Sequence, residues 1–226
     1  MKEVNDEAGA FQDIPLVSAY AGDMKFMVPF IREGGAVSHS NAHGDTILHA
    51  DADGWQHRMV EFLILSGVDV NIQNKDGDTA LHTVTRSRTV PAEGRFLRDS
   101  VPEKARKETF RELLLFGKVD AEILNVQGAN ALHLAAHEGD SLAITELLMA
   151  RRELVDKVTS KGATALLLAI LREHVECAKL LISFGADISV TLTDGVRRLD
   201  LLRSGENVQL RLLCDAASAE GAEPGN

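Results

Sequence analysis

NVQGANALHLAAHEGDSLAITELLMA, residues 125–150, contains two short apolar runs separated by a glycine and an aspartate. Gly128 marks a turn, and Gly139 separates a predicted helix over residues 132–137 from a second one over residues 142–150. Isolated helices shorter than about 12 to 15 residues are marginal in water. Such helices must be stabilised by packing against neighbours of the same shape. The segment therefore indicates one unit of a repeat.

Variants of this repeat unit occur along most of the chain. The glycines at the equivalent turn are spaced by 33, 51, 34 and 33 residues. They are Gly44, Gly77, Gly128, Gly162 and Gly195. The tetrapeptides TILH, TALH, NALH and TALL follow the first four, and a second glycine series ends the second helices at Gly67, Gly117 and Gly185.

A period near 33 residues, with T-x-L-H in the first helix and G-x-D near the end, resembles the ankyrin repeat. The resemblance covers about residues 15–214. It implies an all-α solenoid of stacked helix-turn-helix units joined by short β-turn or hairpin loops.

The spacing predicts a single ankyrin-repeat domain over residues 14–215, between a disordered N-terminus (1–13) and a disordered tail (216–226). The expected repeats are approximately residues 14–40, 41–73, 74–124, 125–159, 160–192 and 193–215. The first and the last repeats depart most from the family pattern. A terminal repeat tolerates such departures because only one of its sides is packed against a neighbour.

Two early repeats contain irregular residues. Pro29 is expected to kink the second helix of the first repeat or to make it start late. In the next repeat, Asp51 stands where the family has a small apolar residue, and Trp55 replaces the glycine that separates the helices. We expect a local distortion there.

The long spacing of 51 residues reflects an insertion over residues 86–103. Pro91, Gly94 and Pro102 exclude a long helix, so we expect a projecting loop or hairpin. Residues 86–107 carry seven Arg or Lys against three acids, although the whole chain has a formal net charge of −10. The insertion is either a functional loop or a tolerated, solvated lengthening of a surface loop.

Residues 86–91 read R-S-R-T-V-P, which resembles the phosphorylated motif that 14-3-3 proteins bind. An Arg three residues before Thr89 also suits a basophilic kinase. A phosphate on Thr89 would add about −1.5 to −2 charge to a basic segment. Thr89 is therefore a candidate phosphosite, although short matches in basic loops also arise by chance.

Composition and charge exclude several function classes. The chain has 226 residues, 45% apolar and 4% aromatic, which predicts an aliphatic core. Its acidic balance argues against direct binding of nucleic acid or anionic membranes, which requires clustered Lys and Arg. Cys177 and Cys214 are too few for a secreted disulfide scaffold. The sequence shows no signal peptide and no apolar run of about 18 residues, so we expect a protein of the cytoplasm, with the nucleus as an alternative; export by a non-classical route would leave the same pattern. We also expect the protein to be a monomer.

Three histidines recur at one position of the unit: His49, His82 and His133. Stacked helices lie about 8–10 Å apart, whereas the ligands of one zinc lie about 2 Å from it, so these histidines are not predicted to share a metal. The resemblance implies that they are hydrogen-bonding residues that bridge repeats. The sequence has no GxSxG, Walker A, GxGxxG or CxxC motif. We expect no catalytic residue, no cofactor and no metal site.

The resemblance further implies that turn tips and first helices form a concave surface that holds a partner protein. The implied contact positions are Ala42, His43, Asp45, Asp53, Lys75, Asp76, Asp78, Arg86, Gln127, Ala129, His137, Glu138, Lys161, Ala163, Leu171 and Arg172. Acidic residues dominate the N-terminal part of this set, so we predict that a basic segment of the partner meets the first two full repeats. Such complementarity sets orientation and association rate more than affinity.

These observations favour a non-catalytic interaction module that acts as an adaptor, scaffold or inhibitor. The alternatives are a transcription regulator of the inhibitor-of-NF-kappaB type, which DGDTALH and the irregular early repeats resemble, and a host-directed effector of a parasite or symbiont. A metal-dependent regulator or enzyme using the basic loop and the histidines is a further class. We also expect Asp45→Ala and Lys161→Ala to be nearly neutral for folding.

Overall fold

The structure is a computed structural model that describes residues 14–35, 37, 39–86, 103–116 and 118–187. Several sequence predictions lie outside these residues: the N-terminus (1–13), the interior of the insertion with Thr89 (87–102), the last repeat (193–215) and the tail (216–226).

Within these ranges the regular structure is helical, as predicted. The ten α-helices are α1 (Ile14–Tyr20), α2 (Met24–Arg32), α3 (Ile47–Asp53), α4 (His57–Leu65), α5 (Ala80–Arg86), α6 (Glu103–Arg111), α7 (Ala131–Glu138), α8 (Ser141–Ala150), α9 (Ala165–Leu171) and α10 (Val175–Ser183). A π-helical turn, Glu112–Phe116, continues α6, and a 3₁₀ turn, Arg152–Leu154, follows α8. Isolated β-bridges join Ser40 to Thr46 and Val158 to Thr164.

The chain divides into two compact units, Met1–Val126 and Gln127–Asn226. In the first unit, α3 packs against α1 and α5, while α4 packs against α6 and the π-helical turn. In the second unit, α7 packs against α9, and α8 packs against α10. Within each unit, first helices therefore stack on first helices and second helices on second helices, as the predicted repeat requires.

The core of each unit is mainly aliphatic. The largest fully buried side chains are Met27, Ile47, Met59, Leu63, Leu81, Phe110, Leu113 and Leu114 in the first unit, and Leu132, Ile144 and Leu147 in the second. Burying such a side chain contributes about 1.5–3 kcal/mol relative to leaving it exposed. The apolar face predicted for residues 142–150 is confirmed, because Ile144 and Leu147 lie in this core.

The recurring histidines bridge neighbouring repeats. The backbone N–H of Thr46 donates to Nδ1 of His49 (3.1 Å), so the ring proton is on Nε2, which donates to the carbonyl of Asp78 (2.9 Å). In the second unit, Asn130 N–H donates to Nδ1 of His133 (3.2 Å), and its Nε2 donates to the carbonyl of Lys157 (2.9 Å). Burial lowers the pKa of His49, against the opposing effect of the bond to Asp78. Both nitrogens of His49 and His133 are occupied, which confirms the structural role.

Pro29 does not delay the helix that contains it. The side chain of Asp23 accepts from the backbone N–H groups of Lys25 (3.1 Å) and Phe26 (3.2 Å), which fixes the start of α2 at Met24. The helix then continues through Pro29 to Arg32. The predicted late start is wrong, because this cap satisfies the first turn before the proline is reached.

The repeat of residues 41–73 contains two irregular residues, Trp55 in the turn between its helices and Asp51 in its first helix. Trp55 adopts a left-handed backbone conformation (φ 57°), close to that of Gly139 (φ 71°) at the equivalent turn. A side chain in this conformation costs roughly 1–2 kcal/mol. Asp51 is fully buried in α3, and neither carboxylate oxygen has a hydrogen-bond partner. The expected distortion is therefore a strained turn residue together with a buried carboxyl group that lacks partners.

Arg106 anchors both ends of the insertion. Its buried guanidinium donates from Nε to the carbonyl of Val84 (3.1 Å) and from Nη2 to that of Thr85 (2.9 Å). It also lies 5.9 Å from the ring centroid of Trp55 and 5.4 Å from that of Phe110. Carbonyls in the last turn of a helix lack partners within the helix, and a cation there is favourable. Arg106 thus ties the start of α6 to the end of α5.

Candidate partner-binding surface

The turn tips of the first unit are fixed by asparagine side chains. Oδ1 of Asn41 accepts from the backbone N–H groups of His43 (2.8 Å) and Asp45 (2.9 Å). In the next repeat, Oδ1 of Asn74 makes the same pair of bonds to Asp76 (3.0 Å) and Asp78 (3.0 Å). These local bonds hold each tip in one conformation without help from a partner.

Backbone hydrogen bonds also link each tip to the next within a unit. In the first unit, Lys75 N–H donates to the carbonyl of His43 (3.0 Å), and Val126 N–H donates to that of Asp76 (2.9 Å). In the second unit, Ser160 N–H donates to the carbonyl of Gly128 (2.9 Å). We call these bonds the tip links.

The tip links require close approach of the backbone. A Cβ atom at Gly77 would lie only 2.8 Å from the backbone nitrogen of Val126. Gly77 also has a φ of 72°, which side chains rarely adopt. Gly77 is therefore required for two reasons: its backbone conformation is one that side chains disfavour, and a side chain would block the contact between successive tips.

Asp45 and Asp78 join tips together. Asp45 accepts from Nδ2 of Asn41 (3.1 Å) and of Asn74 in the next tip (2.7 Å). Asp78 accepts from Nδ2 of Asn125 (2.8 Å) and pairs with Nε of Arg86 (3.1 Å). With both carboxylate oxygens of Asp45 engaged, the expectation that Asp45→Ala is neutral for folding is no longer tenable. Asp78 is only 4% exposed and is removed from the proposed contact set.

The other predicted positions of the first unit are accessible to different degrees. Ala42, His43, Lys75, Asp76 and Arg86 are exposed, whereas Asp45 and Asp53 are half-buried. Since Asp78 is buried and Asp45 is held by two amides, this surface offers less free acidic character than the sequence predicted. Asp76 is its exposed acid, beside exposed Lys75.

In the second unit the predicted positions again cluster at tips and first-helix ends. Ala129 is buried and also leaves the proposed contact set. The exposed positions are Gln127, Glu138, Lys161, Leu171 and Arg172, while His137 and Ala163 are half-buried. These residues remain predicted contacts.

His137 is the centre of a polar cluster at the end of α7. The guanidinium of Arg172 lies within hydrogen-bonding distance of Nε2 of His137. Nδ1 lies 2.9 Å from the carboxylate of Glu138 and donates to it. The cluster places a carboxylate, an imidazole ring and a guanidinium next to one another, and so offers both donors and acceptors to a partner.

His174 belongs to this cluster, and sequence reasoning missed it. Its Nε2 donates to the backbone carbonyl of His137 (3.0 Å). His174 directly precedes α10, just as Asp140 directly precedes α8. The side chain of Asp140 caps α8 by accepting from the backbone N–H of Ala143 (3.1 Å). Alignment of these two positions could have identified it as a residue that fixes the turn.

The described part of the chain contains no group of three or more His, Cys, Asp or Glu side chains arranged to hold a metal ion. Among the same residues, no helix is long and apolar enough to cross a membrane.

Family models match most of the repeat pattern. The model "Ankyrin repeats (3 copies)" matches residues 97–191, and "Ankyrin repeat" matches residues 43–75. Together the two matches span more than half of the chain.

A curated relative matches over a larger share of the sequence. The chain is 26% identical over 201 residues to the nuclear factor NF-kappa-B p105 subunit of Gallus gallus. The match covers 85% of this chain but 18% of that protein. The chain thus spans less than a fifth of the length of this relative.

Solved structures share the fold. The ankyrin repeat protein EF0377 is 25% identical with a TM-score of 0.73, over 90% of this chain and 96% of that one. The ankyrin repeat domain of Bcl-3, described as a unique member of the IkappaB protein family, is 20% identical with a TM-score of 0.74, over 92% and 86% of the two chains. With the five helix pairs and their repeat-bridging histidines, these findings confirm the predicted all-α ankyrin-repeat solenoid: the chain belongs to the ankyrin repeat family, whose arrays are protein-interaction modules.

Proposed function

We propose that this chain is a non-catalytic adaptor, scaffold or inhibitor that holds a partner protein on its turn tips and first helices. The observation that carries the proposal is the set of tip links, from Lys75 to His43, from Val126 to Asp76 and from Ser160 to Gly128. Because these bonds fix the tips in advance, little conformational entropy is lost when a partner binds.

The exposed side chains of the proposed surface suggest which residue types the partner presents to it. In the first unit, Asp76 is exposed, and its carboxylate has no hydrogen bond or ion pair with a described residue. It suits a Lys or Arg of the partner. In the second unit, Lys161, Arg172 and the apolar Leu171 are each exposed, and the chain neighbours Leu171 and Arg172 suit an apolar residue next to an acidic one. We propose that a basic segment of the partner meets the first unit through one Lys or Arg at Asp76, and that such charge-paired contacts set orientation and association rate.

Two double variants of equal net charge test this proposal. Asp76→Lys with Lys161→Glu reverses one exposed charge on each unit within the proposed surface. Glu33→Lys with Lys25→Glu makes the same reversals at exposed positions in and just after α2, a second helix, away from the turn tips. Tagged wild-type chain and both variants are used to capture partners from a cell extract, and the captured proteins are identified by mass spectrometry.

The proposal predicts that a protein captured by the wild type is retained by the control variant and lost from the tip variant. The dissociation constant of the purified partner should follow the same order. Equal binding by both variants would show that the tips do not form the binding surface. Thermal melting of all three proteins verifies that the comparison concerns folded chains.

A second candidate is a transcription regulator of the inhibitor-of-NF-kappaB type. Similarity over 85% of this chain to the NF-kappa-B p105 subunit favours it over the other specific hypotheses. The test is direct titration of purified NF-kappa-B dimers with the chain. Binding that the tip variant weakens supports this candidate, and absence of binding at micromolar concentration removes it.

We also retain Thr89 as a proposed phosphosite within the basic insertion. Incubation of the chain with a basophilic kinase and ATP, followed by mass spectrometry, should find phosphate on Thr89. A matched Arg86→Ala variant should be a poorer substrate, because the Arg three residues before Thr89 is lost. An unmodified Thr89 in the wild-type chain would remove this site.

A further inference from the structure

A pocket lies on the outer side of the first unit, between two second helices. It is formed by α4 and the π-helical turn after α6, and its lining residues are Glu61, Ile64, Leu65, Glu112 and Phe116. Its volume is about 140 Å³. An apolar cavity of roughly 150 Å³ takes up a benzene molecule, so this pocket can receive one large apolar side chain.

The walls of the pocket are apolar side chains exposed to solvent. Leu65 is 79% exposed and Phe116 is 64% exposed, and Leu115 beside it is also exposed. When the second helices are aligned on Gly67, Gly117 and Gly185, the residue before the glycine is Ser66, Phe116 or Phe184, so the position accepts a small polar residue as well as an aromatic one. Adjacent exposed apolar residues of this size commonly mark an interaction surface.

The backbone beneath the pocket departs from an α-helix. Residues Glu112–Phe116 form a π-helical turn, whereas α4 continues as an α-helix to Leu65. The inserted residue of a π turn shifts the side chains that follow it, and such turns occur frequently at functional sites. Leu115 and Phe116 lie within this turn.

Two carboxylates border the apolar walls. Neither Glu61 nor Glu112 has a side-chain hydrogen bond or ion pair with another described residue. The pKa of Glu112 is raised from its ordinary value, first by burial and then by the negative charges of Glu61 and Glu108. Glu108 itself lies 3.7 Å from Arg111. A cation placed between Glu61 and Glu112 would relieve this repulsion.

We infer that this pocket binds a segment of a partner protein in which a large apolar side chain adjoins a Lys or Arg. The apolar side chain lies against Leu65 and Phe116, and the cation lies between Glu61 and Glu112. The combination of exposed apolar walls with an uncompensated acidic border selects this occupant. An acidic segment or an anionic membrane surface would be repelled, and a second copy docked pocket to pocket would bring like charges together. This surface belongs to second helices and is independent of the proposed turn-tip surface.

Peptide titration of the full-length chain tests the inference. The probe is the acetylated, amidated peptide GKFLKG, and its matched control is GEFLEG. In two-dimensional NMR of the ¹⁵N-labelled chain, GKFLKG should shift the amide signals of residues 61–65 and 112–116. The affinity of the chain for GKFLKG should fall as the salt concentration rises from about 20 to 300 mM, because screening reduces the attraction between exposed charges. GEFLEG should leave these signals unchanged.

Surface variants separate the apolar from the electrostatic contribution. Phe116→Ser, which introduces the side chain found at Ser66, should weaken GKFLKG binding at least about tenfold. Glu61→Gln with Glu112→Gln should weaken it about three- to tenfold. Met149→Ser is the matched control, because Met149 is 70% exposed on the second helix α8, and it should not alter binding. Leu65→Ser provides a second apolar variant if Phe116→Ser changes the melting temperature.

Three results would overturn the inference. The first is equal binding of GKFLKG and GEFLEG. The second is unchanged GKFLKG binding in both Phe116→Ser and Leu65→Ser. The third is self-association of the wild-type chain in light scattering that Phe116→Ser abolishes, since the occupant would then be a second copy of the chain.

Discussion

Replacement of Asp51 by alanine should stabilise the folded chain. Asp51 is 0% exposed, and both of its carboxylate oxygens lack a hydrogen-bond partner. The equivalent positions of the other repeats are the fully buried Val84, Ala135 and Ala169. Alanine is therefore the side chain that two of these repeats already accommodate at this point of the core.

The expected gain follows from two opposing contributions. An unsatisfied buried polar group costs about 1–3 kcal/mol, which the substitution removes. The smaller side chain leaves a void of roughly 20–30 Å³, which costs about 0.5 kcal/mol at about 24 cal/mol per Å³. The net stabilisation is about 0.5–2.5 kcal/mol, to which the effect of pH is added.

The pH dependence has a definite sign. Burial raises the pKa of Asp51 well above its ordinary value of 3.8. Below that value Asp51 carries its proton in both the folded and the unfolded chain, so its titration takes nothing from the free energy of unfolding. As pH rises, the unfolded chain loses the proton first, so stability falls by about 1.4 kcal/mol per pH unit until the folded pKa is passed. The advantage of Asp51→Ala over the wild type should therefore grow from pH 4 upwards.

Urea unfolding followed by circular dichroism at pH 4, 5.5 and 7 measures these differences. Asp51→Asn separates the two effects, because it removes the titration but keeps a buried polar group. Asp53→Ala, at the half-buried end of the same helix, is the control and should change stability by about 0.5 kcal/mol or less. Destabilisation by Asp51→Ala of more than about 1 kcal/mol, or a difference from wild type that does not vary with pH, would refute this reasoning.

Three further predictions test the core packing, the anchoring by Arg106 and the side-chain bonds between tips. Leu148→Ala, at a fully buried site, should cost about 2–5 kcal/mol in urea unfolding, whereas Lys161→Ala should stay within about 0.5 kcal/mol; similar values for both would mean that the faces are misassigned. Arg106→Lys should cost about 1.5–3 kcal/mol, because an ammonium group cannot reproduce the two guanidinium bonds to the end of α5, and unchanged stability would contradict that anchoring role. Asp45→Ala should cost about 1–2 kcal/mol through loss of the two amide bonds, and Asp45→Asn should recover part of it; a neutral Asp45→Ala would show that the link carries no stability.

The helices could be predicted from the sequence because their signals are local. Gly139 and Asp140 end one helix and cap the next within four residues, so the positions of α7 and α8 followed from a short stretch. The role of the repeated histidine followed from the family resemblance, since the bond from His49 to Asp78 spans 29 residues.

The features that the sequence did not reveal depend on contacts between distant residues. The sequence predicted Asp45 and Asp78 to be surface acids, yet the side chains of Asn74 and Asn125 in the following tips donate hydrogen bonds to them. Ala129 is buried although Gln127, two residues earlier in the same tip, is exposed. The π-helical turn at Glu112–Phe116 was also not predicted, because a run of leucines gives no signal for it. Periodicity locates helices, but it does not decide which polar side chains have partners.

Hydrogen–deuterium exchange of the chain, alone and bound to the partner recovered by capture, tests the central claim most directly. The claim is that pre-formed turn tips hold the partner. It predicts slow exchange at the linked amides of Lys75, Val126 and Ser160 in the free chain, and added protection over residues 42–45, 74–78, 127–129 and 160–163 on binding. Fast exchange at the linked amides, or protection confined to the second helices α4, α8 and α10, would contradict it.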